Sequence, residues 1–424
     1  MPPRAEEEEP EYLTRTLGKF QVKFIEVAFQ SLDGETRSRF FKADRLPDLL
    51  EGFRVDGYSV GFKPVEDSDL VVVPDPRSLK VYCLDGRCFG FLSGDLLYGD
   101  KPFAHCPRTL LRDLAAKFPG EVLVGLELEL YLLEGGKPAD SRGYWAPDGR
   151  GISLLLEAAE SVKSGVEIRS LHHEVGPGQY EVLTPPSDPL TAADNAVFLK
   201  RLIKTVALAR GFTATFMAKP FSDLPGSGMH VHLSAAPWGR SFFEDGELRE
   251  EGVHFIGGLL LHARTLSALT NQTVNSFKRL VPGMEAPVFL TWGFGNRSTL
   301  VRIPRSRGRA AGTVEYRLPD ASGNIYLAVA ATLLAGLRGL EERADPGPPL
   351  PVNAYTSGGL ARVPSSLGEA LEELGAARSL GVLPESFLEA YTAVKRREWG
   401  DYLKLCGGSC SGVTQWELEK YVSR

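Results

Sequence analysis

Residues 122–133 read VLVGLELELYLL, and this stretch decides what kind of sheet the chain can build. Side chains of a strand alternate between its two faces, so the leucines face one way and Glu127, Glu129 and Tyr131 face the other. Two carboxylates about 7 Å apart on an otherwise apolar strand are costly unless positive charge faces them. The stretch therefore predicts either a divalent-cation site or an amphipathic strand with a solvated face.

A second segment, LHHEVGPGQYEVL (171–183), adds two more carboxylates on strands. Its Gly-Pro-Gly turn predicts two arms lying side by side, with Glu174 on one arm and Glu181 on the other. His172 and His173 precede Glu174. Four strand carboxylates favour the cation site over the solvated face.

Two later strands carry residues of the same kind. In GMHVHLS (228–234), His230 and His232 share one strand face, and in GTVEYRLPD (312–320) Glu315 shares a face with Arg317. A single histidine in a strand is more often structural than a ligand. Five glutamates and one histidine, however, would satisfy two hard cations and leave room for substrate phosphates.

Arginines are concentrated between residues 275 and 317, on either side of a PGMEAP loop that carries Glu285. They are Arg279, Arg297, Arg302, Arg305, Arg307, Arg309 and Arg317. Arginine is suited to bidentate binding of carboxylates and phosphates. Together with the carboxylates they indicate phosphoryl transfer from a nucleotide to an anionic substrate. The sequence has no P-loop, no glycine fingerprint of a dinucleotide fold and no nucleophile elbow.

Composition excludes several other classes of protein. The 424 residues carry a net charge of −6, so no strong field attracts nucleic acid. No apolar run is long enough to span a membrane, and the acidic start MPPRAEEEEPEY does not resemble a secretory signal. These features predict a cytoplasmic protein.

The chain has five cysteines, an odd and low number for its length. A disulfide framework is therefore not expected, and we expect free thiols. The pair Cys406 and Cys410 is the one close spacing, for which a regulatory disulfide or a metal clip is the alternative.

The chain divides into two regions of different character. The first hundred residues are rich in strands and turns, with a hairpin at 18–43, and we predict a domain of residues 1–104. Residues 105–424 mix strands with helices, among them a long helix at 187–212 and another at 252–269. Their irregular alternation predicts an α+β fold rather than a doubly wound sheet.

Several long segments resemble the signature segments of the glutamine synthetase family, in the same order and over nearly the whole chain. They are VGLELEL (124–130), HHEVGPGQYEV (172–182), FMAKPFSDLPGSGMHVHLS (216–234), NSFKRLVPGMEAPVFLTWGFGNRSTLVRIP (275–304) and VEYRLPDASGNIYLAVAATLLAGL (314–337). The resemblance implies a small β-grasp domain before a large catalytic α/β domain with a curved antiparallel sheet. It also implies ATP-dependent formation of the γ-amide of glutamate from ammonia, through γ-glutamyl phosphate. Active sites would lie between subunits of a homo-oligomer, in hexameric rings stacked as a dodecamer.

The resemblance also implies residue roles. One Mg²⁺ or Mn²⁺ would be held by Glu129, Glu174 and Glu181, and a second by Glu127, His230 and Glu315. Glutamate would be bound by Gly226, Arg279, Glu285 and Arg317, and the nucleotide by His232, Ser234, Arg297 and Arg302. Ammonium would be bound by Asp56 of the adjacent subunit together with Tyr144 and Glu174. Arg297 would stabilise the phosphoryl group in the reaction, and the Glu285 loop would close over the site.

Three positions depart from the family pattern. Pro225 stands where many members have an asparagine that seats glutamate, and a proline has no N–H to replace that contact. Tyr58 replaces a serine of the ammonium loop. The segment around Tyr355 lacks the acidic flank of the family's regulatory tyrosine, so we do not expect adenylylation there. The alternatives are a ligase for an organic amine, such as a polyamine or ethanolamine, and a family member without catalysis.

Overall fold

The computed structural model describes residues 9–147, 149–381, 383–406, 410 and 412–424. The first eight residues of the acidic start lie outside this range, as do all three residues between Cys406 and Cys410. The helices are α1 (Glu9–Lys19), α2 (Leu46–Leu50), α3 (Pro107–Ala115), α4 (Arg150–Ser161), α5 (Pro189–Ala209), α6 (Glu250–Leu261), α7 (Ala263–Thr270), α8 (Val274–Arg279), α9 (Ile325–Glu342), α10 (Leu367–Glu373), α11 (Glu385–Cys406) and α12 (Gln415–Tyr421).

Strands form two large sheets and two short hairpins. They are β1 (Phe24–Gln30), β2 (Thr36–Lys42), β3 (Phe53–Asp56), β4 (Asp69–Pro74), β5 (Lys80–Leu84), β6 (Arg87–Tyr98), β7 (Lys101–Pro102), β8 (Gly120–Glu134), β9 (Lys137–Pro138), β10 (Val162–Ser164), β11 (Ser170–His173), β12 (Gln179–Leu183), β13 (Thr213–Thr215), β14 (Met229–Pro237), β15 (Phe243–Glu244), β16 (Glu247–Leu248), β17 (Trp292–Phe294), β18 (Val301–Ile303), β19 (Arg305–Ser306), β20 (Arg309–Ala310) and β21 (Val314–Tyr316).

The N-terminal sheet has the order β10-β5-β6-β1-β2, with β3, β4 and β7 attached through β6. The predicted hairpin at 18–43 is confirmed by the antiparallel pair β1 and β2. β1 also runs parallel to the long strand β6, so the chain must cross over between them rather than turn back in a hairpin. The strand β10 comes from beyond residue 104, and the division at 104/105 stays a prediction.

The larger sheet has the order β11-β12-β8-β14-β21-β18-β17. The opening stretch forms β8, which lies at the centre between β12 and β14 and pairs antiparallel with both. Its leucines at 126, 128 and 130 are fully buried. The helices α5 and α9 lie among the core elements, and the N-cap Asp188 begins α5 by accepting the Thr191 N–H at 3.0 Å. Two sheets with separate helices confirm the α+β fold.

A buried ion cluster joins two helices to the N-terminal sheet. Arg108 of α3, 3% exposed, donates to Asp194 of α5 at 2.9 and 2.7 Å. The same guanidinium donates to Asp75 at 2.8 Å and to Asp95 of β6 at 2.7 Å. We call Arg108 and these three aspartates the Arg108 cluster. It fixes α3 and α5 against the N-terminal sheet.

Two expectations differ from the structure. The helix predicted at 252–269 is two helices, because the backbone of His262 (φ −98°, ψ 3°) leaves helical values between α6 and α7. The expectation of free thiols is wrong for four cysteines: Cys83 is bonded to Cys88 and Cys406 to Cys410, while Cys106 is free. Cys83 and Cys88 stand opposite each other on β5 and β6, a pairing that sequence spacing did not reveal. Among the described residues, no helix is both long and apolar enough to cross a membrane.

Candidate active site

The polar face of β8 lies opposite its buried leucines and meets polar residues of both neighbouring strands. Glu129 stands opposite Glu181 of β12, and Glu127 stands opposite His230 of β14. On the next strand, β21, Glu315 pairs with His232. Because these pairs are set by the register of the sheet, the predicted carboxylates and histidines come to one face without any special loop.

Glu127 lies between two histidines. Its two oxygens are 3.0 Å from Nδ1 of His230 and 2.8 Å from Nε2 of His232. Burial alone would raise the pKa of Glu127, but hydrogen bonds from both histidines hold that pKa well below its ordinary value. Glu315 accepts a hydrogen bond from Arg302 at 2.6 Å and lies 3.6 Å from Nδ1 of His230. This half of the site already contains partners for its carboxylates.

The other half has carboxylates with fewer cationic partners. Nε2 of His172 lies 3.0 Å from Glu174, and its Nδ1 lies 3.7 Å from Glu181. Burial, together with the negative charges of Glu127, Glu129, Glu174 and Glu315, raises the pKa of Glu181 to about 10. A carboxyl group in this environment favours a compensating positive charge.

Two sets of ligand atoms lie within 4.8 Å of one another: Glu127 with His232 and Glu315, and His172 with Glu174 and Glu181. Each set shares two residues with one predicted metal site. His232 takes the place predicted for His230 in one set, and His172 takes that of Glu129 in the other. The donor chemistry fits Mg²⁺ or Mn²⁺, because carboxylate oxygens predominate and Glu181 lacks a matching cation. The assignment of individual ligands stays a prediction.

The loop between β13 and β14 approaches the site through its glycines. A Cβ on Gly226 would lie 2.6 Å from Cγ of Arg279, so no side chain fits there. The carbonyl of Pro225 accepts a hydrogen bond from Tyr131 at 2.8 Å, and that of Gly226 accepts one from Gln179 at 3.0 Å. The loop is therefore held by its backbone carbonyls, and the missing N–H of Pro225 is not needed for this anchoring.

Arg317 holds two loops by their backbones. One guanidinium nitrogen donates to the carbonyl of Arg297, and the other donates to the carbonyl of Glu285 at 3.2 Å. Its Nε lies 3.3 Å from Glu315. Arg279 is 3% exposed and donates to the carbonyls of Leu318 and Arg317 at 2.9 and 3.0 Å. The two arginines predicted to bind glutamate therefore also organise the walls of the site.

One cavity gathers most of the predicted residues. It is lined by Glu127, Glu129, Glu174, Val175, Gln179, Glu181, Pro225, Gly226, His230, Arg279, Met284, Glu285, Ala286, Arg297 and Arg317. Four more predicted residues lie on adjoining strands outside this lining: His232 and Ser234 on β14, Arg302 on β18 and Glu315 on β21.

Of the three residues predicted to bind ammonium, Glu174 belongs to that lining, and Asp56 and Tyr144 lie apart from it. Tyr144 is 51% exposed and stacks on Trp145, and its ring meets that of His172 edge-on at 5.8 Å. Asp56 is exposed at the end of β3 in the N-terminal sheet. A hydrogen bond from the Ser59 hydroxyl keeps the pKa of Asp56 below its ordinary value. The contribution of Asp56 to a neighbour's site stays a prediction.

Sequence reasoning gave no role to three residues that shape the cavity. His172 stands opposite Glu181, and this position follows from the turn at 176–178 once the hairpin register is known. Gln179 accepts the Gly176 N–H through its side chain while donating to Gly226. The sequence places Tyr131 on the polar face of β8. Its hydrogen bond to the Pro225 carbonyl joins residues 94 positions apart, so no local sequence pattern predicts it.

Two family models match the chain. Residues 21–91 match the β-grasp domain of glutamine synthetase, and residues 152–421 match its catalytic domain. The N-terminal β-grasp domain of the predicted fold is thereby confirmed.

Proteins named glutamine synthetase match over almost their full length. That of Thermococcus kodakarensis is 37% identical, with 94% of this chain and 95% of the relative covered. That of Pyrococcus woesei is 39% identical, with 96% and 98% covered. That of Thermotoga maritima is 36% identical, with 97% and 99% covered.

Solved structures of a protein called GmaS share the fold. Apo GmaS without ligand matches with a TM-score of 0.83 and 32% identity, covering 95% of this chain and 97% of that one. A GmaS/ADP complex matches with a TM-score of 0.85 and 31% identity, covering 96% and 98%.

Proposed function

The chain belongs to the glutamine synthetase family, and from that premise we propose that it joins ammonia to the γ-carboxylate of glutamate at the expense of ATP. The observation that carries the proposal is the site itself, in which clustered carboxylates, His230 and the buried arginines Arg279 and Arg317 line one cavity. Such a combination suits a reaction in which two anions, glutamate and ATP, must be brought together.

The first step would be attack of the glutamate γ-carboxylate on the γ-phosphorus of ATP. It forms γ-glutamyl phosphate and releases ADP. Arg279 would hold glutamate beside the Gly226 backbone, while Arg297 and Arg302 would face the phosphate oxygens as their charge redistributes. His232 and Ser234 would lie along the nucleotide. The similar GmaS structure was solved as an ADP complex, which supports a nucleotide as substrate of this chain.

Divalent cations would supply charge neutralisation and orientation of the phosphates. The residues proposed to hold them are Glu129, Glu174 and Glu181 for one ion, and Glu127, His230 and Glu315 for the other. The raised pKa of Glu181 supports this role, since a bound cation would supply the positive counter-charge that the surroundings of this carboxyl group lack. His172 and His232 are close enough to contribute.

In the second step ammonia attacks the acyl carbon, and phosphate leaves as the amide forms. Asp56 of an adjacent subunit, with Tyr144 and Glu174, would bind ammonium and accept the proton it must lose. The Glu285 loop would exclude water, which would otherwise hydrolyse the acyl phosphate. The family acts as oligomers, and we propose stacked hexameric rings for this chain.

A cytoplasmic location belongs to the same proposal. The need for ATP supports this location. Cysteine usage does not support it, because four of the five cysteines are paired.

An organic amine is the second candidate acceptor. GmaS, a γ-glutamylmethylamide synthetase, shares the fold and is 32% identical to this chain, compared with 36–39% for the three glutamine synthetases above. Pro225 and Tyr58 depart from the family pattern, and Trp145 adds an exposed aromatic ring beside Tyr144. Aromatic faces attract alkylammonium ions as well as ammonium.

A comparison of amines tests both candidates. The purified protein with ATP, Mg²⁺ and glutamate is given ammonium, methylammonium, ethanolamine or putrescine in turn, and phosphate release is measured. We expect ammonium to stimulate release most, and EDTA to abolish it. Greater stimulation by an organic amine would replace ammonia with that amine. Absence of stimulation by any of the four would contradict amide formation and favour a member without catalysis.

A further inference from the structure

The loop that carries Glu285 (residues 281–288, the Glu285 loop) forms one wall of the cavity and has no regular secondary structure. Glu285 itself has a φ of 56°, in the left-handed region that residues other than glycine seldom adopt. Val281 and Met284 are 40% and 36% exposed. A strained and partly solvated loop keeps one position only if contacts from outside it hold that position.

Two side chains from outside the loop hold its centre. Arg317 donates to the carbonyl of Glu285 at 3.2 Å, and the hydroxyl of Tyr355 donates to the carbonyl of Ala286 at 2.9 Å. Arg317 belongs to the proposed glutamate site, so its contact will change with the substrate. Tyr355 comes from a different segment and contacts the residue that follows Glu285.

The segment that carries Tyr355 (residues 350–357, the strap) is itself well anchored. Asn296 donates to two strap carbonyls at 3.0 and 2.9 Å, and Ser298 Oγ accepts a strap N–H at 2.9 Å. The side chain of Asn353 accepts the Tyr355 N–H at 2.9 Å and so begins the short turn Ala354–Thr356. The strap is therefore fixed to the residues on either side of Arg297.

The Tyr355 hydroxyl is suited to this contact. Burial raises the pKa of Tyr355, so the phenol keeps the proton that it donates. Its ring comes from the segment where adenylylation was not expected, and its oxygen is engaged with the protein backbone rather than directed to solvent.

We infer that Tyr355 is a positioning residue that couples the strap to the Glu285 loop and holds that loop over the site. The inference rests on the proposed function and concerns the exclusion of water, not the choice of amine. Without the hydroxyl, the loop would spend more time open, and water would reach γ-glutamyl phosphate before the amine does. A neutral hydrogen bond of this kind is worth a factor of about three to ten in such an equilibrium.

The test is Tyr355→Phe, which keeps the ring and removes the hydroxyl. We expect the fraction of phosphate released without amine to rise about three- to tenfold, and KM for glutamate to rise by a similar factor. The kcat at saturating amine should change less than about twofold. Loss of folded protein would lower every rate together and leave the fraction unchanged.

Tyr391→Phe is the matched control, because its hydroxyl also donates to a backbone carbonyl, that of Ala268, but between helices of the core. Hydrogen exchange of residues 281–288 is measured in both variants and should accelerate only in Tyr355→Phe. If that variant does not fold, Asn353→Ala loosens the strap while keeping the phenol, and should give a smaller change in the same direction.

An unchanged phosphate fraction with unchanged exchange in Tyr355→Phe would overturn the inference, as would an equal effect in Tyr391→Phe. If the wild-type protein releases no phosphate with any amine, the proposed function fails, and the exchange measurement alone then decides the role of Tyr355.

Discussion

Two groups of carboxylates within the described structure, the Arg108 cluster and the candidate active site, differ in the counter-charge that the chain supplies to them. In the Arg108 cluster three aspartates surround one guanidinium, which donates to all of them at 2.7 to 2.9 Å. In the candidate active site five glutamates lie near histidines and arginines. Those arginines also donate hydrogen bonds to backbone carbonyls. The pKa of Asp75 is held below its ordinary value by Arg108 despite burial, whereas that of Glu181 is raised to about 10.

The difference separates a structural ion cluster from a site prepared for a ligand. Where the chain supplies its own counter-charge, removing that charge should harm folding. Where it does not, removing a carboxylate should harm chemistry and leave folding nearly intact.

The largest expected effect is on activity, in Glu127→Gln. This change keeps the shape of the side chain but removes the charge between His230 and His232. Cation-assisted charge stabilisation is worth several kcal/mol, so amine-dependent phosphate release should fall about a thousandfold. Glu134→Gln, at the exposed end of the same strand, is the control and should retain activity. Near-normal activity in Glu127→Gln would remove Glu127 from the site.

The next effect is on stability, in Arg108→Met. Removing the guanidinium leaves Asp75, Asp95 and Asp194 without their shared partner, which should cost about 3–5 kcal/mol in the free energy of unfolding. Denaturant unfolding measures this. Arg112→Met serves as the control, because Arg112 is 34% exposed and should cost about 1 kcal/mol or less. Equal losses of unfolding free energy in the two variants would mean that the burial of Arg108 does not make its ion pairs more important than those of Arg112.

The smallest effect is a difference in pH dependence between the two groups, in protein freed of metal. Asp75 and Asp194 have lowered pKa values, so their stabilisation is present above their ordinary value of 3.8 and is lost as pH falls through the lowered values. Glu181 has the opposite sign: its stabilisation is present below 4.5 and is lost as pH rises toward about 10.

Urea unfolding across pH measures both slopes. Asp75→Asn should flatten the loss of stability in acid, and Glu181→Gln should flatten the decline between about pH 5 and pH 10. The comparison between the groups fails if each variant alters the slope assigned to the other.

Much of the site followed from local patterns. Strand alternation assigned Glu127 and Glu129 to one face, and the turn after Glu174 brought Glu181 beside it, because both rules act within a few residues. The α+β fold followed from the irregular order of strand and helix patterns. These inferences needed no knowledge of which strands are neighbours.

Contacts between distant segments were not predictable in the same way. Arg108 lies on α3 and is buried against Asp194, 86 residues later in the sequence. The bond from Tyr355 to Ala286 spans 69 residues, and the Cys83–Cys88 pair depends on the register of a hairpin. Each depends on how whole elements pack, for which a single sequence carries no local signal.

The nine-residue pairing of β14 with β8 ties catalysis to correct assembly of the sheet. If β14 slipped by one residue, Met229, Val231 and Leu233 would face the site, and His230 and His232 would turn into the core. A misassembled molecule would then lack the two histidines that β14 brings to the cation sites. Divalent cations would therefore bind to and stabilise only those chains in which β14 and β8 are correctly aligned. Cation uptake per chain would count the correctly folded fraction of a preparation before any substrate is added.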